Sequence, residues 1–185
     1  MEKNELIKQM NETKFIKYGN FTLKSGINSN YYVDIKSLFS NPKIIKELCE
    51  LIYIKLSFIL NKNNIKKENI DIGGLPYAGI PFASFISIKY NIPLILLRKE
   101  IKAYGTKKIY EGSLSNKTNL FLIDDIFTTG TSIKESLSKF NQTNPDISIK
   151  TITIIDRSSD IKIQDKTKLD YESIFLLEEF TQKLN

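Results

Sequence analysis

The sequence predicts an α/β fold, a central parallel sheet flanked by helices, as a single domain over residues 1–185. Short continuous apolar runs at 92–97 and 120–123, with further strand patterns at 70–73 and 147–155, alternate with segments whose apolar residues recur at helical period. Strands that are apolar throughout, rather than in alternation, belong to parallel sheets covered on both faces. The segments that look chemically active each follow one of these runs, where open parallel sheets bind their ligands. No internal repeat is present.

Taken in order, Leu6, Ile7, Met10, Lys14 and Ile16 stand at loose helical spacing and predict a short helix within residues 4–17. Phe21-Thr22-Leu23 alternates as a strand does and runs into a turn at Lys24-Ser25-Gly26. Tyr31-Tyr32-Val33-Asp34-Ile35 predicts another strand. Asn41-Pro42 couples an N-cap residue to proline at the first helical position. Ile44, Ile45, Leu48, Leu51, Ile52, Leu56 and Ile59 carry that helix to Leu60, and Cys49 beside the stripe reads as an inert core residue. A polar connection, 61–69, leads to a strand at 70–73 and a helix at 79–90. A strand at 92–97, a long polar loop at 98–112 and a strand at 120–123 follow. The remaining chain predicts a helix at 132–141, strands at 147–155 and 171–176, and a closing helix to Leu184.

Composition narrows the chemistry. At 41% hydrophobic and 26% charged, the chain has the balance of an ordinary globular domain. One cysteine excludes an internal disulfide framework. Histidine is absent, which excludes a histidine base, a Ser–His triad and histidine-ligated metal. Any metal is then a hard ion held by oxygen. No apolar run approaches the roughly 20 residues of a membrane helix, and residues 1–10 lack a signal-peptide core. The cytoplasm is the expected compartment, with no membrane partner. The net charge of +6 raises nucleic acid as a partner. Yet the tightest basic cluster, 98–108, carries Tyr104 and Gly105 in a loop, which suits a small polyanion equally well.

The stretch Leu120-Phe121-Leu122-Ile123-Asp124-Asp125-Ile126-Phe127-Thr128-Thr129-Gly130-Thr131-Ser132 holds the most specific chemistry. A buried strand delivers adjacent carboxylates to the sheet edge. A loop of small hydroxyl residues with one glycine then opens a helix at Ser132. Such a loop offers backbone N–H groups, hydroxyls and the positive end of a helix dipole to a phosphate. The acids stand where ribose hydroxyls can donate to them, so together the elements specify a ribose 5-phosphate. The pattern is neither a Walker A loop nor a dinucleotide fingerprint.

This run closely resembles the phosphoribosyl pyrophosphate (PRPP) signature of type I phosphoribosyltransferases, and other segments resemble the orotate-specific members. Phe21-Thr22-Leu23-Lys24-Ser25-Gly26 with Ser29-Asn30-Tyr31-Tyr32-Val33-Asp34 is similar to their N-terminal F-x-L-K-S-G…Y motif. Residues 98–107, ending in Glu111-Gly112, resemble their mobile catalytic loop. Gly73-Gly74-Leu75-Pro76-Tyr77-Ala78-Gly79-Ile80-Pro81 is similar to their pyrophosphate loop, and Asp156-Arg157 resembles the orotate-contacting arginine.

The resemblance implies a type I phosphoribosyltransferase fold, with residues 1–40 contributing a small hood. It implies transfer of 5-phosphoribosyl from PRPP to orotate. Lys102, Asp124 and Asp125 would be the catalytic residues. PRPP would be bound by Lys24, Tyr77, Ala78, Arg98, Lys99, Lys102, Tyr104 and the run Asp124, Asp125, Ile126, Phe127, Thr128, Thr129, Gly130, Thr131 and Ser132. Orotate would meet Lys24, Tyr32, Val33, Thr128 and Arg157. The bond to the anomeric carbon breaks with charge developing on pyrophosphate, so cations at the leaving group are needed more than a base. Mg²⁺ is the expected cofactor, held mainly by PRPP and through water by Asp124 or Asp125. A homodimer is implied, the 98–112 loop being shared across its interface. The chain has no room for an orotidylate decarboxylase, which is expected as a separate partner. Tyr104, where many bacterial members carry histidine, matches the form found in bifunctional UMP synthases. Ala78 stands where many carry lysine, reducing that contact to backbone. Competing readings are a purine or other pyrimidine phosphoribosyltransferase, and a non-catalytic PRPP sensor that binds nucleic acid.

Overall fold

The computed structural model describes residues 2–23, 26, 28–98, 109–114, 119–142, 144–160 and 169–181. Helix α1 (Lys3–Glu12) buries Leu6, Ile7 and Met10. It ends short of the expected residue 17 because Lys14 adopts a left-handed φ of 55°, turning the chain out of the helix. Ile16 therefore opens a strand. Strand β1 (Ile16–Thr22) pairs antiparallel with β2 (Asn28–Val33). The chain leaves β2 through a 3₁₀ turn (Ile35–Ser40), which takes Ile35 out of its expected strand. Helix α2 (Pro42–Lys62) starts where the sequence predicts, with the Asn41 side chain accepting from the Ile44 amide at 3.3 Å.

The main sheet contains β3 (Ile70–Gly74), β4 (Leu94–Leu97), β5 (Tyr110–Glu111), β6 (Asn119–Phe127), β7 (Ser148–Asp156) and β8 (Tyr171–Leu176). Their order is β5-β4-β3-β6-β7-β8. All pairings are parallel except β4 with β5. That antiparallel edge lies inside the stretch expected to be loop. Ile109 and Tyr110 bury there at the edge of β4, an apolar pair in an otherwise lysine-rich segment. Helices α3 (Gly79–Tyr90), α4 (Thr131–Asn141) and α5 (Glu178–Thr181) complete the described α-helices. Among the described residues no helix is long and apolar enough to cross a membrane.

Period-two alternation along β6 divides the core. Phe121 and Ile123 join the cluster beneath α1, α2, α3 and α5, whereas Leu120 and Leu122 join Ile133 and Phe140 of α4 on the other face. From β3 the chain goes out to β4 on one side, then returns to β6 on the other, so the order reverses between β3 and β6. There the Leu75 amide donates to the Ile123 carbonyl at 2.8 Å. Gly79 lies against the same carbonyl, where a Cβ has no room. The close approach of α3 to β6 depends on that glycine.

Candidate active site

A cleft of about 340 Å³ opens at the carboxyl ends of β6 and β7. Strand β6 does not stop at Ile123. It stays paired with β7 through Asp124↔Thr153, Ile126↔Ile155 and Phe127↔Asp156, so the acids lie within the strand's final residues. Asp124 Oδ1 accepts from the Asp125 amide and Asp125 Oδ1 from the Ile126 amide, each at 2.9 Å. These contacts lock both carboxylates to the backbone. Asp124 is only 9% exposed. Burial first, then the Asp125 charge, pushes its carboxyl up to about 8, while the nearby Lys36 cation acts the other way.

After the acids, Thr128 to Ser132 line the cleft and lead into α4 one residue earlier than expected, at Thr131. Gly130 precedes the helix at φ 74°, and a Cβ there would run into Leu169 and the Phe127 ring. Gly130 has no side chain to cap the helix, the Thr129 hydroxyl accepts from the Thr131 amide only at 3.4 Å, and the first turn carries no acid, so the positive end of α4 faces the cleft. The Thr129 and Thr131 hydroxyls lie 2.8 Å apart across the loop. Backbone amides and hydroxyls so arranged are chemically suited to a phosphate. The Phe127 ring belongs to the core instead. It is 1% exposed and stacks on Tyr171 at 3.8 Å between centroids.

The facing end carries Leu23, Tyr32, Val33 and Arg157. Arg157 is not a surface ion-pair residue. It is 3% exposed, donates from Nη2 to Ser29 Oγ at 3.0 Å, and lies 4.7 Å over the Tyr31 ring. Among the described residues its Nε has no hydrogen-bond partner, and desolvation lowers its pKa. Among the described residues it has no carboxylate partner. Asp156 braces the chain on either side, accepting from the Tyr171 hydroxyl at 3.0 Å and the Ser158 amide at 2.7 Å. A buried guanidinium with an N–H left over can receive an anion.

The cleft thus brings together Asp124 to Ser132 with Tyr32, Val33 and Arg157. Tyr77, exposed, and Ala78, buried, follow β3 next to β6 and do not line it. Arg98 pairs with Glu111 at the β4–β5 edge, also outside the cleft. Lys24, Lys99, Lys102 and Tyr104 lie outside the described residues. Sequence reasoning missed Lys36, Glu135 and the Ser29 contact. For Lys36 the sequence carried no local signal, because it lies in the 3₁₀ turn beyond β2.

Residues 34–183 match the family model of the phosphoribosyl transferase domain. The orotate phosphoribosyltransferase of Methanococcus maripaludis is 34% identical over 160 residues, 86% of this chain and 83% of that protein. The orotate phosphoribosyltransferase of Methanosphaera stadtmanae is 32% identical over 184 residues, 98% of both chains. Among solved structures, the UMP synthase of Leishmania donovani aligns with a TM-score of 0.77 and 29% identity over 98% of this chain, which spans 38% of that one.

Proposed function

The chain belongs to the orotate phosphoribosyltransferase family, and we propose that its cleft transfers the 5-phosphoribosyl group of PRPP to orotate. The products are orotidine 5′-monophosphate, in pyrimidine (UMP) biosynthesis, and pyrophosphate. One observation supports this reading above the rest. A paired carboxylate runs directly into a glycine-hinged helix start, with a buried arginine lacking a described carboxylate partner at the other end of the same cleft.

In this reading the amides and hydroxyls from Thr128 to Ser132 hold the 5-phosphate, and Ile126 and Phe127 contribute backbone. Asp124 and Asp125 accept from the ribose hydroxyls. As the bond from the anomeric carbon to pyrophosphate breaks, the ring becomes cationic and the fixed Asp125 carboxylate stabilises it, with Asp124 adding its charge once its proton has passed to solvent. The nitrogen of orotate, arriving deprotonated, then forms the new bond, so no general base is needed. Arg157 takes the orotate carboxylate through its free N–H, Thr128 approaches the base, and Tyr32 and Val33 flank the ring. The ribbon of β1 and β2 serves as the hood. By family membership, Lys24, Tyr77, Ala78, Arg98, Lys99, Lys102 and Tyr104 attend pyrophosphate, with Lys102 the principal cation and the 98–112 segment shared between the subunits of a homodimer.

The donor set is compatible with Mg²⁺: the cleft offers carboxylate oxygen from Asp124 and Asp125. Among the described residues no group of three acidic, histidine or cysteine side chains could cage an ion. This suits an ion carried by PRPP and reached by Asp124 or Asp125 through water. When bound, it would neutralise charge developing on pyrophosphate. We further infer a cytoplasmic enzyme that works in association with an orotidylate decarboxylase. The test is spectrophotometric. Orotate absorbance should fall only when PRPP and Mg²⁺ are both present, and stop on chelation. Orotate left unconsumed by folded protein would overturn the proposal.

A further inference from the structure

We propose that Lys36 is a substrate-contacting residue at the pyrophosphate end of the cleft, supplying a fixed cation to the leaving group. The inference deepens the reading of the cleft as a phosphoribosyl transfer site and rests on it. Lys36 lines the same cavity as Asp124 and Asp125. Its backbone is fixed by neighbours that all point into the core: Val33 at 3%, Ile35 at 1% and Leu38 at 0% exposure. The acid nearest it in sequence is already engaged, since Asp34 pairs with Lys17 at 2.8 Å. No ion-pair partner holds Lys36 among the described residues. A rigidly mounted, exposed and unpaired lysine at the mouth of an acidic cleft is suited to a ligand anion.

The cleft indicates which anion. The 5-phosphate takes the α4 end, and Arg157, mounted after β7, takes the base end. Lys36 instead lines the cavity together with Asp124 and Asp125. Asp124 follows Ile123, the residue that receives the Leu75 amide, on the β3 side of the crevice. The turn there, Leu75-Pro76-Tyr77-Ala78-Gly79, contains no cationic side chain. Lys36 and Arg157 are the cleft-lining cations among the described residues. Pyrophosphate leaving on the β3 side would therefore meet Lys36.

Steady-state kinetics in both directions tests this with Lys36→Gln and Lys36→Arg. In the reverse reaction, orotidine monophosphate plus pyrophosphate, Lys36→Gln should raise KM for pyrophosphate at least tenfold. KM for orotidine monophosphate should move less than twofold. In the forward direction the loss should fall on PRPP and kcat, not on KM for orotate, and Lys36→Arg should recover most of it. Equal melting temperatures would show that folding is unaffected. Unchanged pyrophosphate KM, or a defect confined to orotate, would overturn the proposal. Wild-type turnover in the same assay separates failure of the Lys36 role from failure of the transferase reading, which would abolish turnover in every variant.

Discussion

One wall of the cleft is a single stretch of chain, residues 124–132, in which acids, loop and helix start follow without interruption. The facing wall is assembled from the end of β2, the 3₁₀ turn and Arg157. There one hydrogen bond joins Ser29 to Arg157 across 128 positions. The first wall gets its geometry locally: strand register, one left-handed glycine and a helix dipole suffice. The second depends on the whole sheet being formed, because β7 must place Arg157 beside a ribbon made by the first 33 residues. In the proposed reaction the local wall serves the donor, while on the assembled wall Arg157 and the end of β2 serve the acceptor and Lys36 alone reaches across to the leaving group. Substitutions should divide along the same line.

The largest effect should come from the local wall. Asp125→Asn removes a fixed negative charge from the developing ribosyl cation, and kcat/KM for PRPP should drop about 10²–10³-fold. Steady-state kinetics at saturating orotate measures it, and near-normal kcat/KM would remove the acid from the mechanism. On the assembled wall, Arg157→Gln should raise KM for orotate roughly 10–10²-fold, the worth of a hydrogen bond to a charged group, and leave KM for PRPP nearly unchanged. A loss shared equally between the substrates would show that the walls do not act separately.

The smallest effect concerns stability. Asp124 has a folded-state pKa raised above its unfolded value of 3.8, so the folded protein holds its proton more tightly than the unfolded chain. That contribution is fully present below pH 4 and is lost as pH rises towards 8. Asp124→Asn mimics the protonated form without titrating. It should therefore stabilise the ligand-free protein by ~1 kcal/mol or more at pH 8, a Tm gain of roughly 2–4 °C, and lose the gain near pH 4. Thermal melts across that range would show it, alongside impaired turnover. An equal Tm difference at both pH values would mean the buried charge is not its source.

The same contrast explains what could be read from residues alone. The strands and helices of the sheet, the Asn41 cap and the whole 124–132 run are local in sequence, and the structure contains each within a few residues of its expected bounds. The two faces of the ribbon and the β5 edge depend on partners distant in the chain. Residues 109–111 looked like loop because the apolar Ile109 and Tyr110 are embedded in a polar segment, and only β4 makes a strand of them. Arg157 was recognisable as a candidate from its place after β7. Its burial, its brace by Asp156 and its contact with Ser29 were not, since each depends on tertiary packing. Lys36 stayed hidden among 27 lysines and arginines until the fold separated it from the rest.

The most direct test of the account is a substrate panel. With PRPP and Mg²⁺, wild-type protein is offered orotate, uracil, hypoxanthine or adenine, and nucleotide and pyrophosphate are quantified together. The account predicts one nucleotide per pyrophosphate with orotate, and no product with the three bases that lack a carboxylate for Arg157. Turnover of a purine or of uracil in place of orotate would contradict it.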